Sequence, residues 1–353
     1  MKSVFSRTTL MFVLILSVLA LAACGGTAAP AEEEAAAEEE APLFYYVSPN
    51  PIGVNEFLKM GVTGLELVGE EYGAETFVLE SEFGDPTSWE ENVRAAVNDG
   101  ADIVMVLGFE FNDIIAEVAP EAPDVNFLIV DQCIDDAPEN VSCAVFREYE
   151  GSYLVGAVAG SLTESNKVGA IGAMDIPFLH RYTDAFAEGA MAVNPDVEVS
   201  TLWVGGDNPF ADPVRAKEQA LALASDGVDH VYAATAGGNF GVFEAAEEEN
   251  FYAYGVDVNQ CPDAPGYVME NMIKRVDLAI VDAVGQIMDG ESGFVNSYGL
   301  AEGAMGLVSL VGEDPANSEC VLQEYPDVIE AVQGLQQQII DGELVIEDPM
   351  FAE

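Results

Sequence analysis

Basic residues are scarce in this sequence. Its 353 residues include 11 Lys and Arg against 63 Asp and Glu, which gives a formal net charge of -52 at pH 7. Proteins that bind nucleic acid or anionic membrane surfaces need Lys and Arg to neutralise phosphate groups. We therefore expect no nucleic-acid partner. We interpret the acidity as a solubility feature, with the hypothesis that it reflects a saline habitat in which salt screens the self-repulsion.

Histidine and the common nucleophile motifs are also scarce. His180 and His230 are the only histidines, and no Gly-x-Ser-x-Gly elbow is present. The segment GGNFG at 237–241 lacks the Gly-x-Gly-x-x-Gly order and the Walker lysine of phosphate-binding loops. We predict a protein that is not an enzyme and that has no cofactor and no metal. A nucleoside or glycoside hydrolase with a carboxylate pair remains the remote alternative, because no pair stands out among so many carboxylates.

The N-terminus is typical of an export signal. Lys2 and Arg7 precede an apolar run at 10–23 that is too short to span a bilayer comfortably. The run ends in Leu-Ala-Ala-Cys at Cys24, which resembles the bacterial lipobox, whose cysteine is acylated, for example with palmitate. We predict a lipoprotein signal peptide at 1–23 and lipidation of Cys24. A plain cleavage site with an incidental cysteine is the alternative.

The segment 24–42 is predicted to be a tether. After Cys24 it contains only small and acidic residues, which offer too little apolar surface to offset the entropy of ordering. Like charges extend such a linker. We expect it to hold a folded domain away from the membrane.

The other four cysteines fit an exported protein. Their even number and the lack of a close pair at metal-ligand spacing favour disulfides over a zinc site. Four cysteines allow three pairings, of which we predict Cys133–Cys143 and Cys261–Cys320. Unpaired buried thiols are the alternative.

The hydrophobic pattern alternates between strands and helices and then restarts. Short apolar runs rich in Val, Ile, Phe and Tyr predict strands at 43–48, 75–81, 102–108 and 126–132, and again at 167–173, 198–205, 230–237 and 252–257. Helical patterns between them predict helices at 55–73, 88–100, 181–193, 213–225 and 242–249. This order predicts an α/β protein with two parallel sheets, each covered on both faces.

Open parallel sheets bind ligands at the carboxyl ends of their strands. Two such sheets in one chain make a cleft between them the default ligand site. Seven residues lie at or directly after these strand ends: Gly108, Phe109, Asp131, Gly237, Gly238, Asn239 and Asp257. Glycine and aspartate are also common turn and cap residues, which is the alternative explanation for each of them.

Several of these segments resemble one family. The block FREYEGSYLVGAVAGSLTESNKVGAIGAMDIP at 146–177 is its most specific part, joined by GFEFNDIIAEVAPEAPDVNFLIVD at 108–131, DAFAEGAMAVNPDVEV at 184–199 and MIKRVD at 272–277. The sequence from 43 to about 310 is similar to the basic membrane lipoprotein family, the purine-nucleoside-receptor type of ABC-transporter solute-binding protein.

The resemblance implies an architecture and a set of partners. The implied fold is the type I periplasmic-binding-protein fold, in which two Rossmann-like lobes are joined by a three-stranded hinge. We expect the first lobe at 43–145 plus about 262–295 and the second at 146–261 plus about 296–353. The implied protein is a monomer on the outer side of the bacterial cell membrane, held there by its lipid anchor, that binds a nucleoside and serves an ABC permease and ATPase.

The resemblance also implies roles for particular residues. Asp131 and Asp257 would accept hydrogen bonds from ribose hydroxyls, and Lys274 would donate to the sugar. Phe57 and Phe210 would stack on the base. The backbone would approach the ligand closely at Gly237 and Gly238. Without the resemblance, Lys274 would be taken for a surface lysine and Phe57 for a core residue.

The first loop departs from the family pattern. Leu58 stands where an asparagine that helps to read the base is expected, and SPNPIG at 48–53 replaces the usual Asp-Gly-Gly stretch. Asn50 or Asn55 could compensate from a nearby position. We therefore expect a nucleoside, with a purine favoured, but leave the base open. A different sugar-like solute, or a sensory role instead of transport, is the alternative within extracellular binding.

Overall fold

The structure, a computed structural model, describes residues 41–311 and 315–351. The predicted signal peptide, the lipidation site at Cys24 and all but the last two residues of the predicted tether lie outside these residues. No helix among the described residues is both long enough and apolar enough to cross a membrane.

Twelve strands and ten helices make up the described chain. The first part contains β1 (Leu43–Ser48), α1 (Glu56–Tyr72), β2 (Glu75–Glu80), α2 (Pro86–Asn98), β3 (Ile103–Leu107), α3 (Asn112–Val118), β4 (Asn126–Asp131) and β5 (Val141–Phe146). The second part contains α4 (Glu148–Leu162), β6 (Lys167–Gly172), α5 (Pro177–Val193), β7 (Glu198–Trp203), α6 (Pro213–Ser225), β8 (His230–Ala234), α7 (Asn239–Glu249), β9 (Tyr252–Asp257) and β10 (Val268–Lys274). The third part contains α8 (Val276–Met288), β11 (Val295–Tyr298), β12 (Met305–Leu307), α9 (Val308–Val311) and α10 (Pro326–Ile340).

The strands form two six-stranded sheets, which define a first and a second lobe. The strand order is β11-β5-β4-β3-β1-β2 in the first sheet and β12-β10-β9-β8-β6-β7 in the second. Every pairing is parallel except that of β10 with β12. Central strands such as β3 are buried at every residue, because helices cover both faces of a parallel sheet. The predicted α/β fold with two parallel-dominated sheets is confirmed.

Local signals set the helix ends. The side chain of Asn55 accepts a hydrogen bond from the backbone N–H of Leu58 and caps α1, which ends at Gly73 in the left-handed conformation. Asp212 caps α6 in the same way, and Pro213 occupies its first turn. These caps satisfy backbone N–H groups in the first turn of each helix.

The chain crosses between the lobes three times, after β5, after β10 and after β11. The crossing segments are hydrogen-bonded to one another. The backbone N–H of Arg147 donates to the carbonyl of Tyr298 at 2.8 Å, and that of Arg275 donates to the carbonyl of Ala304 at 2.8 Å. The crossovers therefore lie side by side.

The sheet topology corrects the expected lobe boundaries. We assigned 262–295 to the first lobe, but β10 pairs in parallel with β9 and belongs to the second sheet. We assigned residues from 296 onward to the second lobe, but β11 pairs with β5 in the first sheet. The reason is that β9 has an open edge that a fully buried strand can occupy, so the chain adds β10 there before it crosses back at Arg275.

Both disulfides join the pairs that we predicted. Cys133 and Cys143 link the end of β4 to β5, with 5.5 Å between their Cα atoms. Cys261 and Cys320 lie 4.9 Å apart and attach the segment before α10 to the end of β9.

Candidate ligand-binding site

A cavity of about 650 Å³, open mouth included, lies between the strand ends of the two sheets. Residues from both lobes line it: Pro49, Asn50, Asn55, Phe57, Leu58, Gly108, Phe109, Glu110, Asp131, Phe178, Leu179, Tyr182, Phe210, Ala234, Ala236, Val256, Asp257 and Lys274.

Two aspartates reach the cavity from opposite sheets. Asp131 ends β4 and Asp257 ends β9, and both have left-handed backbones, with φ of 90° and 73°. A positive φ is uncommon outside glycine and is often found at functional sites. Both residues are largely buried, with 6% and 7% of their surface exposed. The strand ends therefore present one carboxylate from each lobe to the same space.

Lys274, at the end of β10, is only 1% exposed. Its ammonium donates to Asp131, to Glu148 at 2.9 Å and to the hydroxyl of Tyr182 at 3.1 Å. Burial opposes its charge, but the carboxylates of Asp131 and Glu148 hold its pKa well above the usual value. An ammonium has three N–H groups, and all three are used here. Lys274 therefore orients the two carboxylates and has no donor left for a ligand in this conformation.

A second cation lies behind Lys274. Arg181, on α5, contacts Glu148 at 3.3 Å and forms a two-pronged pair with Asp348, at 2.9 and 2.6 Å. Glu148 is completely buried, and burial raises its pKa although Lys274 opposes the shift. Glu148 lies within the block that resembles the family, but neither it nor Arg181 has a role predicted from the sequence. Their function follows from contacts with residues more than a hundred positions away.

Asp257 differs from Asp131 in its hydrogen bonding. Among the described residues none donates a hydrogen bond to its carboxylate, which lines the cavity. Burial raises its pKa to about 7; Lys274 opposes this shift, and the nearby carboxylates of Asp131 and Glu148 add to it. Asp257 is therefore an acceptor that a ligand could satisfy.

Aromatic rings form much of the apolar wall. Phe109 from the first lobe and Phe210 from the second face each other with ring centroids 6.4 Å apart and an interplanar angle of 52°. Phe57 lies against Lys274, whose Nζ is 5.2 Å from its ring centroid. Phe178 and Tyr182, one turn apart on α5, meet edge to face at 6.0 Å. The α5 pair was not predicted, although the i, i+4 spacing of two aromatics after a strand end is a usable signal.

Eight of the ten predicted ligand-binding residues line the cavity: Asn55, Phe57, Gly108, Phe109, Asp131, Phe210, Asp257 and Lys274. Gly237 and Gly238, where we expect a close approach of the ligand, are not among the residues that line the cavity. Both are buried in the turn after β8, and the adjacent Ala236 lines the cavity instead. A Cβ at Gly237 would meet the carbonyl of Phe210 at 3.3 Å, and one at Gly238 would meet Thr235 Oγ1 at 2.7 Å. These glycines fit close packing within the protein.

Known proteins with similar sequences and folds match most of the chain. The model of the family described as "ABC transporter substrate-binding protein PnrA-like" matches residues 46–348. A protein of Listeria monocytogenes named CD4+ T-cell-stimulating antigen is 32% identical over 73% of each chain. The ABC transporter nucleoside-binding protein BmpA of Lactococcus lactis is 29% identical over 83% of this chain and 86% of its own length.

The fold comparison agrees with the sequence comparisons. The crystal structure of an ABC transporter solute-binding protein from Aeropyrum pernix K1 has a TM-score of 0.76 and 25% identity, and it covers 87% of this chain and 94% of its own. Together with the family match over most of the chain, this places the cavity in a known type of binding protein. The chain belongs to the PnrA-like family of ABC transporter substrate-binding proteins.

Proposed function

We propose that this protein binds a nucleoside, with a purine nucleoside favoured, in the cavity between its lobes. The observation that carries the proposal is the meeting of Asp131 and Asp257, one from each sheet, beside the facing rings of Phe109 and Phe210. Carboxylates bind hydroxyl groups by charge-assisted hydrogen bonds, and flat bases stack on aromatic rings. The relative from Lactococcus lactis that is named as nucleoside-binding supports the same ligand class.

The charge of the cavity favours a neutral ligand that is rich in donors. Its charged lining consists of three carboxylates, Glu110, Asp131 and Asp257, and a single ammonium, Lys274. Because that ammonium already donates to protein acceptors, an added phosphate would meet carboxylates and no free cation among the described lining residues. A nucleoside supplies the required hydroxyl donors, whereas a nucleotide adds a repelled anion.

The mechanism is closure of the lobes around the ligand. The site is shared between the two sheets, and the chain passes from one to the other at the three crossovers described above. Ligand contacts made on both sides favour the closed arrangement over an open one. The closed form would then dock on an ABC permease with its ATPase.

The first test is a calorimetric titration of residues 43–353 with ribonucleosides, free bases and free ribose. We expect binding of nucleosides and loss of most of the affinity with the base alone or ribose alone. The variant Asp257→Asn should bind nucleosides more weakly, whereas the control Asp124→Asn, which changes an exposed aspartate in the same way, should bind as the wild type does. Tight binding of free ribose would instead indicate a sugar receptor, and absence of all binding would overturn the nucleoside proposal.

The anchor at Cys24 is a separate part of the proposal. Acyl chains on this cysteine would keep the protein beside its permease, and the acidic segment 24–42 would set its reach. Changing Cys24 to Ser in the full-length protein should move it from the detergent phase to the aqueous phase in a phase-partition assay. Equal partitioning of both proteins would contradict lipidation.

A further inference from the structure

Glu110 lines the cavity but has no role predicted from the sequence. It lies in the single turn Phe109–Phe111 that follows β3. Its carboxylate folds back over Gly108, where Oε2 occupies the space that a Cβ at position 108 would fill. Gly108 has φ of 98°, a conformation that favours glycine. The backbone at position 108 and the placement of the Glu110 side chain therefore both require a residue without a Cβ. This arrangement brings the carboxylate into the cavity wall.

The carboxylate of Glu110 has unfilled acceptor positions among the described residues. Within residues 41–311 and 315–351, only its own backbone N–H reaches it. Burial raises its pKa to about 7, and the nearby charge of Asp131 adds to the shift. Lys274 cannot relieve it, because its three protons go to Asp131, Glu148 and Tyr182. An acceptor in this position is satisfied when a ligand supplies a donor.

The strand order indicates which part of a ligand reaches Glu110. Asp131 ends β4, and Glu110 follows β3, the next strand away from β5 and the crossovers. In the second lobe Asp257 ends β9, and Ala236 follows β8, the next strand away from β10. A nucleoside whose sugar lies between Asp131 and Asp257 therefore extends its base toward Glu110.

We propose that Glu110 determines which base is accepted, by accepting hydrogen bonds from N–H groups on the base edge. This inference rests on the proposed nucleoside function. Guanine presents two adjacent donors, N1–H and the 2-amino group, which match the two oxygens of a carboxylate. Hypoxanthine presents N1–H alone. Adenine presents the acceptor N1 beside its 6-amino group, and an acceptor facing a carboxylate is repelled. The expected order of affinity is guanosine, inosine, adenosine.

Glu110→Gln tests this order directly at pH 8, where a carboxyl with a pKa of about 7 is mostly ionised. A carboxamide has one acceptor and one donor group, so it suits adenine and leaves one guanine donor unpaired. We expect the affinity for guanosine to fall about 10- to 100-fold, the range for losing a hydrogen bond to a charged group. Adenosine should bind the variant as well as or better than the wild type. Glu66→Gln, an exposed glutamate on α1, removes the same charge outside the cavity and should keep the wild-type order.

A ligand-side measurement keeps the test independent of the variant's folding. On the wild type, 1-methylguanosine lacks the N1–H donor and should bind at least about 10-fold more weakly than guanosine. If nucleosides bind but Glu110→Gln keeps the wild-type order, the role of Glu110 is overturned and the nucleoside function stands. If no nucleoside binds the wild type, the proposed function is overturned and this inference falls with it.

Discussion

At the scale of the residue, Lys274 is paired with protein acceptors in this structure, and its implied role as a donor to the sugar stays a prediction. The resemblance makes it a donor to the sugar, whereas its three N–H groups are taken by Asp131, Glu148 and Tyr182. Lys274 is thus a positioning residue, which holds the acceptor Asp131 in place. The carboxylate of Asp257 accepts no hydrogen bond from the described residues and is therefore free to accept one from a ligand. Substitutions at Lys274 and at Asp257 are therefore expected to change the stability of the fold in opposite directions.

Asp257→Asn should raise thermal stability and weaken nucleoside binding. Burial raises the pKa of this carboxyl to about 7, so above that pH the folded state holds a charge that is unfavourably placed. Removing it should raise the melting temperature by some degrees, since about 1 kcal/mol corresponds to roughly 2–4 °C in proteins somewhat smaller than this one. Melting at pH 8 and titration with the best nucleoside measure both effects. A variant that binds with wild-type affinity would remove Asp257 from the site.

Lys274→Met should destabilise the fold strongly. It leaves the buried carboxylates of Asp131 and Glu148 without their common cation, a change that typically costs about 3–5 kcal/mol. Chemical denaturation at pH 8 measures the loss. The control is Lys59→Met, which breaks an exposed pair with Glu56 and should cost at most about 1 kcal/mol. Equal stability of the two variants would contradict the structural role of Lys274.

At the scale of the element, the packing of α4 against α5 decides where several site residues lie. α4 starts with Glu148, and α5 carries Phe178, Arg181 and Tyr182. The helices meet through glycine, since a Cβ at Gly156 would overlap the carbonyl oxygen of Phe186 in the facing helix. The backbones can approach this closely only because residue 156 has no side chain.

Gly156→Ala should therefore push the two helices apart and lower the melting temperature, although alanine favours a helix. Overpacking in a core costs typically about 1–3 kcal/mol. The matched control is Gly334→Ala in α10, where a Cβ meets nothing within 4 Å. That change should raise stability by about 0.5–1 kcal/mol. Thermal melts of both variants measure the two signs, and a stabilising Gly156→Ala would contradict the close helix contact.

At the scale of the whole molecule, buried carboxylates couple folding to pH. Burial raises the pKa of Glu110, Asp257 and Glu270 to about 7 in each case. The folded state therefore keeps protons that the unfolded chain, with pKa values near 4, has already released. Stability must fall as pH rises through the interval between these two values.

We expect the free energy of unfolding to increase by a few kcal/mol when the pH is lowered from 8 to 6. Protonation also reduces the self-repulsion of a chain with a formal net charge of -52. Measurements in 1 M salt separate the two contributions, because salt screens exposed charges more than buried ones. Denaturation curves at pH 6, 7 and 8 provide the test. A free energy that is flat or rises with pH would contradict buried carboxyls with raised pKa values.

The local sequence determined the elements and their order. The apolar runs LFYYVS and YAYGVD gave the bounds of β1 and β9, and the Asp-Pro start gave those of α6, because burial and capping act over a few residues. The strand-end aspartates 131 and 257 were identifiable for the same reason. A parallel sheet necessarily brings the ends of its strands to one edge.

Only the tertiary structure decided which sheet β10 and β11 join and which side chains form hydrogen bonds with each other. β10 pairs with the edge of β9 in the second sheet, and the sequence of β10 does not specify this pairing. Lys274 and Asp131 are 143 positions apart in the chain, and their contact exists only because two sheets face each other across the crossovers. Hydrogen bonds and burial depend on distances between remote residues, so the partners of Lys274 and the unpaired state of Glu110 follow from the folded chain alone.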